Sequence, residues 1–218
     1  MRTPLLLLCL AVIVGCSKKP ATELERLEQA AAKGDAKAQL SLGLSYSLGR
    51  EVPKDSSKAA EWYQKAAAQG NADAQKQLGY MYEYGKGVPK DAGKAAEWYR
   101  RAAVQGECFS QSTLGRLYWE GNGVRKDKTE AAEWYQKAAA QGWGPAQFEL
   151  GLMYEKGEGV PRDDVRAYAW LNLAAADARA GDDYAATKRD ELEKRMTAEQ
   201  KAAGQKLSSD LFEKMPKE

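Results

Sequence analysis

Residues 71–106 read NADAQKQLGYMYEYGKGVPKDAGKAAEWYRRAAVQG, and the same 36-residue phrase recurs on both sides of them without insertion or deletion. Stepping by 36 aligns Gly43, Gly79, Gly115 and Gly151, then Tyr46, Tyr82, Tyr118 and Tyr154. Val52, Val88, Val124 and Val160 follow, with Asp55, Asp91, Asp127 and Asp163, and with Trp62, Trp98, Trp134 and Trp170. A fixed period of this size marks stacked supersecondary units, each too small to bury its own apolar face. Such stacks offer extended surfaces, so the class of function they favour is binding.

Each unit predicts two helices. In residues 71–106 the first runs from about Asn71 to Tyr84, with Ala74, Leu78, Met81 and Tyr82 at helical spacing. Gly85 ends it, as Gly49, Gly121 and Gly157 do elsewhere, because glycine adopts the left-handed C-terminal cap without a Cβ penalty. Asp91 opens the second helix as an N-cap. Ala95, Trp98, Tyr99, Ala102 and Ala103 form its apolar face, and Gln105-Gly106 closes it. On the opposite face Glu61/Lys65, Glu97/Arg101 and Glu133/Lys137 are spaced as helix-supporting ion pairs. Gly79 and its equivalents fall inside the first helix, where glycine costs about 1 kcal/mol relative to alanine. Recurrence at one column implies close approach of the two helices.

The chain begins differently. Arg2 is followed by the apolar run Leu5 to Val14 and by Ile13-Val14-Gly15-Cys16. That run is too short for a membrane span, which needs about 20 residues, and suits a secretion signal. Its last four residues resemble a bacterial lipobox, which implies cleavage after residue 15 and lipidation of Cys16, with a tether over residues 16–21. Ser17, in place of an aspartate, implies by the same resemblance an outer-membrane anchor facing the periplasm. Without residues 1–15 the chain carries 32 basic and 31 acidic side chains, since Arg2 is the one charge removed. This balance gives no electrostatic footprint for nucleic acid. With Cys16 acylated, Cys108 has no disulfide partner; in the small-residue column Ala36, Ala72, Cys108, Gly144 it reads as a packed, inert thiol.

The pattern Ala-x-Ala-Gln-x-x-Leu-Gly-x-x-Tyr, then Gly-x-Gly-Val-x-x-Asp, then Ala-Ala-x-Trp-Tyr-x-x-Ala-Ala-x-Gln-Gly resembles the Sel-one-like repeat (SLR), a relative of the tetratricopeptide repeat. The resemblance implies an all-α, right-handed α-solenoid of antiparallel helix pairs. Four repeats are expected over residues 35–70, 71–106, 107–142 and 143–180, behind a leading helix at 22–34. The fourth changes to Ala167-Tyr168-Ala169-Trp170-Leu171-Asn172-Leu173, similar to the family's terminal repeat. Residues 181–218 are expected to cap the stack, with one helix over 182–195 and another from Thr197-Ala198-Glu199-Gln200 to about Lys214.

The absence of histidine excludes Ser-His-Asp and Cys-His nucleophile systems and His-based zinc sites. Neither a cofactor nor a metal site is read from the chain, and no small-molecule substrate is expected. The Gly-x-Gly-Val loops follow helices instead of strands and read as caps, not as phosphate cradles. Cysteine-rich relatives are associated with β-lactam binding or hydrolysis. This chain lacks their paired cysteines and any Ser-x-x-Lys, so that alternative is disfavoured. The family resemblance instead implies a non-catalytic scaffold whose first helices line a concave groove, at positions two, five, nine, twelve and thirteen of each repeat. Aligned on Leu42-Gly43, those positions include Tyr80, Tyr84, Phe109, Arg116, Trp119 and Phe148, the aromatic and arginine types that dominate binding hot spots. The expected partner is another envelope or secreted protein, with the membrane touched only through the lipid anchor.

Overall fold

The computed structural model describes residues 22–176 and 184–216. Residues 1–21, with the signal segment, Cys16 and the tether, lie outside them, as do 177–183 and 217–218. Among the described residues the chain is all-helical, with eleven helices. A leading helix, α1 (Glu23–Ala32), precedes four antiparallel pairs: α2 (Ala36–Leu48) with α3 (Ser56–Ala68), α4 (Ala72–Tyr84) with α5 (Ala92–Val104), α6 (Cys108–Glu120) with α7 (Lys128–Ala139), and α8 (Gly144–Lys156) with α9 (Asp164–Ala176). Two further helices follow, α10 (Tyr184–Glu193) and α11 (Ala198–Lys214). From α1 to α10 each helix packs on the next, as in a solenoid of helix pairs, and α11 returns to pack on α9.

Local rules set these boundaries. The carboxylates of Asp55, Asp91 and Asp127 accept hydrogen bonds from backbone N–H groups in the first turns of α3, α5 and α7. Gly49, Gly85, Gly121 and Gly157 end α2, α4, α6 and α8 in the left-handed conformation, with φ of 72°, 68°, 78° and 70°. Thr197 and Gln200 close a capping box at the start of α11.

The glycine inside each first helix is a seat for the second. A Cβ on Gly43 would fall 2.6 Å from the Tyr63 ring, and one on Gly79 would fall 2.7 Å from Tyr99. On Gly115 it would come within 3.0 Å of Tyr135, and on Gly151 within 2.8 Å of Leu171. The close approach implied by the glycine column is therefore an aromatic ring lying on bare backbone, and Leu171 replaces that ring in the last pair.

Two further devices bind one pair to the next. The side-chain amide of Gln39 donates to the Ala31 carbonyl at 3.0 Å, and Gln75, Gln111 and Gln147 repeat this toward Ala67, Ala103 and Ala139. The Oε1 atoms of Gln39, Gln75 and Gln111 then accept from Gln69, Gln105 and Gln141 at 2.7–2.8 Å. All four donor glutamines are buried, so each places its amide on a second lone pair of a helix-end carbonyl that already accepts a backbone N–H, and the ladder satisfies the buried amides themselves. The second device is the other glycine of each Gly-x-Gly loop. Gly87, Gly123 and Gly159 have φ of 72–73° and press on the Ser56, Ala92 and Lys128 carbonyls at the start of the preceding pair's second helix. The sequence reading assigned these glycines to capping alone; they also fasten the repeats together. In the first pair the same register position is Glu51, a non-glycine with φ 61°.

Two expectations need correction. The basic residues of the expected Glu–Lys and Glu–Arg pairs lie instead over tryptophans: Lys65 sits 3.8 Å from the Trp62 ring centroid, Arg101 4.5 Å from Trp98 and Lys137 3.8 Å from Trp134. An indole face at the helix surface offers these long side chains both apolar cover for their stems and a cation–π contact. The helix expected over 182–195 runs from Tyr184 to Glu193, and residues 182 and 183 are outside the described set. The end cap itself is formed largely by α11, which lies along α9. Gly204 of α11 faces the Tyr168 ring, Asn172 donates to Ser208 at 3.0 Å, and Met215 reaches the Gln147 amide at 3.6 Å.

Candidate functional site

The first helices α4, α6 and α8 share a face that carries two adjoining hollows. One, of about 410 Å³, is lined by Lys76, Gln77 and Tyr80 of α4, by Glu107, Cys108 and Phe109 around the start of α6, and by Trp143. The other, of about 290 Å³, lies between α6 and α8, with Phe109, Arg116, Tyr135, Trp143, Phe148 and Glu149 among its walls. Phe109 and Trp143 stand on the ridge between them, in edge-to-face contact at 6.2 Å. Phe109 also meets Tyr99 at 6.3 Å, and Phe148 meets Tyr184 of α10 at 5.4 Å. The aromatic row therefore runs from the second repeat to the C-terminal cap.

Of the six residues singled out from sequence, Tyr80, Phe109, Arg116 and Phe148 line these hollows. Tyr84 is exposed just outside them, stacked on Tyr80 at 4.7 Å, and Lys86 lies over the Tyr80 ring at 4.5 Å. Trp119 lines neither hollow: it is half-buried against the C-terminal core, with Lys128 over its ring at 4.6 Å. Cys16 lies outside the described residues. Cys108 is half-buried at the rim of the larger hollow instead of packed away, and burial, with help from Glu107, raises its pKa, so it stays a neutral thiol.

The charges in the groove come in closed sets. Arg116 pairs with Glu83 and with Glu120, the latter at 2.9 Å. Burial opposes its charge, but Glu83 and Glu120 outweigh that effect and raise its pKa. Lys76 pairs with Asp73 at 2.8 Å and Glu107 at 3.3 Å, and again the two carboxylates overcome the effect of burial. Glu83 also accepts a hydrogen bond from the Tyr99 hydroxyl at 2.9 Å. Burial, reinforced by that carboxylate, pushes the Tyr99 pKa far up.

Sequence reasoning missed Trp143, Tyr135, Glu107 and Glu149, while Lys76 falls at position five of its repeat, one of the expected groove positions. Trp143 carried a signal. It occupies the N-cap column held by Asp35, Asn71 and Glu107, and its side chain makes no capping bond. A large indole where the helix start calls for a small acceptor serves something other than the helix. Among the described residues no group of three His, Cys, Asp or Glu side chains is placed to hold a metal ion.

Known proteins share this fold. The Sel1 repeat model matches residues 36–71, 72–107, 109–143 and 144–177. A crystal structure of a protective antigen present in uropathogenic Escherichia coli, displaying an SLR fold, superposes with a TM-score of 0.78 at 38% identity, over 91% of this chain and 42% of that one. A Sel1 repeat protein from Oxalobacter formigenes gives 0.68 at 38% identity, over 73% of this chain and 65% of its own. The secretory immunoglobulin A-binding protein EsiB of Escherichia coli is 49% identical over 41 residues, 19% of this chain and 8% of that protein. The chain thus spans less than two thirds of each of these relatives. Four consecutive matches fill most of its length, and the protein belongs to the Sel1 repeat family.

Proposed function

We propose that this protein is a non-catalytic interaction scaffold that holds a partner protein against the face formed by α4, α6 and α8. The observation that carries this reading is the aromatic row Tyr80, Phe109, Trp143 and Phe148, which leaves two adjoining hollows open on one face of an otherwise tightly packed stack. Aromatic rings beside paired charges are the composition of interface hot spots. A relative matched over one short stretch is named for binding secretory immunoglobulin A, so a protein ligand is in keeping with the family. The scaffold works from the cell envelope, tethered through a lipid on Cys16 at the outer membrane and facing the periplasm, and its partner is another envelope or secreted protein. Support for the anchor comes from Ile13-Val14-Gly15-Cys16 following the apolar run from Leu5 to Val14.

A photo-reactive residue at Ser112, on the wall of the smaller hollow, tests the groove in cells, with exposed Gln136 of α7 as the control. A discrete protein adduct from 112 and none from 136 is expected. Adducts from 136 alone, or from neither, refute the groove as the partner site. Labelling with a radioactive fatty acid, lost in Cys16→Ser, tests the anchor separately.

A further inference from the structure

We infer that the hollow between α6 and α8 is a subsite for a cationic side chain, the ammonium or guanidinium of a lysine or arginine on the bound protein. This deepens the groove reading and rests on it.

The charge balance of the groove points to that occupant. The two cations that line the hollows are already paired, Lys76 by Asp73 and Glu107, and Arg116 by Glu83 and Glu120. A fifth carboxylate, Glu149, lines the hollow and forms no ion pair or hydrogen bond among the described residues. With Lys86 over the Tyr80 ring and Lys156 acting on Glu149, four positive charges stand against five negative ones. An anion entering the hollow between α6 and α8 would meet Arg116 already held by two carboxylates and Glu149 as a like charge. Glu149 is solvent-exposed as a residue, yet its carboxyl lies deep enough in the concavity for burial to raise its pKa, and Lys156 only partly offsets this. A cation seated beside it would supply the missing partner.

The floor adds an independent observation. Tyr135 is only 4% exposed, and its hydroxyl has no hydrogen-bond partner among the described residues. Its register-mate Tyr99 donates to Glu83. The column that holds Glu83 in the second repeat holds Trp119 in the third, so Tyr135 has no carboxylate in reach of that kind. Tyr63 also has an unpaired hydroxyl, but there it is sealed in the core; the Tyr135 ring lines the open hollow. Its oxygen can accept from an ammonium or guanidinium N–H.

The walls supply the third element. Phe109, Trp143 and Phe148 surround the cavity, and aromatic faces around a desolvated cation attract it through their quadrupoles. The volume, about 290 Å³, admits one side chain and not a folded element. An aliphatic side chain would fill the walls but leave Tyr135 and Glu149 desolvated and unpaired.

The test uses the full chain in detergent and four blocked tripeptides, acetyl-Gly-X-Gly-amide, with X as lysine, arginine, norleucine or glutamate. The Trp143 indole N–H resonance, assigned by its loss in Trp143→Phe, reports occupancy. Lysine and arginine probes are expected to shift it saturably, and norleucine and glutamate to leave it in place. Glu149→Gln should weaken the lysine probe about fivefold or more without lowering the melting temperature, and Tyr135→Phe should weaken it about twofold. Equal binding of norleucine and lysine, binding of the glutamate probe, or no saturable shift up to about 50 mM lysine probe overturns the inference. Adducts from position 112 with no lysine shift would leave the groove reading standing and remove the cation subsite. A lysine shift without adducts would remove the groove as partner site and, with it, the assignment of the cation to a bound protein.

Discussion

Replacing Gly123 by alanine tests the reading of the inter-repeat fastening. A Cβ there would fall well inside 3.0 Å of the Ala92 carbonyl and 2.9 Å from the Gly93 nitrogen, and both neighbours are backbone that no rotamer change can move. Two costs add. Alanine at φ +72° is strained by about 1–2 kcal/mol. To restore ordinary contact the loop must also retreat by about 1 Å, loosening Val124 from the α5 cluster it packs on, an overpacking cost of about 1–3 kcal/mol. The expected loss is therefore about 2–5 kcal/mol, a large share of the roughly 5–15 kcal/mol by which domains are stable. Gly106→Ala is the matched control, with φ +93° and nothing within 4 Å of its Cβ, so it carries the conformational cost alone. Because Gly123 joins the second repeat to the third, its substitution should also weaken nearest-neighbour coupling at mid-array. Urea unfolding followed by circular dichroism gives the free energies, and hydrogen exchange tells whether the two halves now open separately. If Gly123→Ala destabilises no more than Gly106→Ala, the fastening role is refuted.

The Glu83 carboxylate holds both the Tyr99 hydroxyl and Arg116, so Glu83→Ala strands a buried hydroxyl and should cost about 2–4 kcal/mol. Tyr99→Phe removes only the donor and should cost about 1 kcal/mol; equal urea midpoints for the two variants would contradict the network. Alkaline pH probes the buried tyrosines. Burial raises the pKa of Tyr63, Tyr99 and Tyr135, so above pH 10 the unfolded chain releases protons that the folded chain keeps. Their contribution is fully present below the unfolded pKa near 10 and is lost as pH rises past it, with a slope of up to about 4 kcal/mol per pH unit for three groups. Urea titrations at a series of pH values should show that slope reduced by about a third in Tyr135→Phe, and an unchanged slope would mean Tyr135 ionises freely in the fold.

Much of the fold was legible because its rules are local. An aspartate that caps a helix and a glycine that ends one act within a few residues, and so does the spacing of Ala95, Tyr99 and Ala102. The glycine column could be read as a close approach for a similar reason, since glycine inside a helix is locally unfavourable and its recurrence demands a cause. The glutamine ladder was not legible. Gln105 reaches Gln75 thirty residues back, and Gln75 itself donates to the Ala67 carbonyl, an acceptor no side-chain pattern displays. The site was half legible. Positions two, five and nine cluster on one side of a helix, and Phe109, Arg116 and Phe148 reach the hollows from them. Position twelve shares that side, about 20° beyond position five, so spacing alone could not set it apart. What sets it apart is its partners: Glu83 there turns to Tyr99, Glu155 to Arg195, and Trp119 packs half-buried against the C-terminal core.

This difference explains where in a periodic chain a site arises. The columns that repeat faithfully are spent on stacking: the glycines under aromatic rings, the buried glutamines, the capping aspartates. A strictly repeated surface would present the same small groove between every pair. The hollow between α6 and α8 instead coincides with departures from the register. Trp143 stands in an N-cap column, Trp119 stands where Glu83 would engage the tyrosine, and Glu149 stands in the column of Ser41, Gln77 and Thr113. The first raises an aromatic wall, the second removes the internal partner of Tyr135, and the third brings in an unpaired carboxylate. None of them disturbs the fastening, because the Gln111–Gln141 bond and the Gly115–Tyr135 seat persist beneath. The scaffold thus tolerates substitution on its groove face at positions its stacking does not use, and at this interface those positions converge on one hollow.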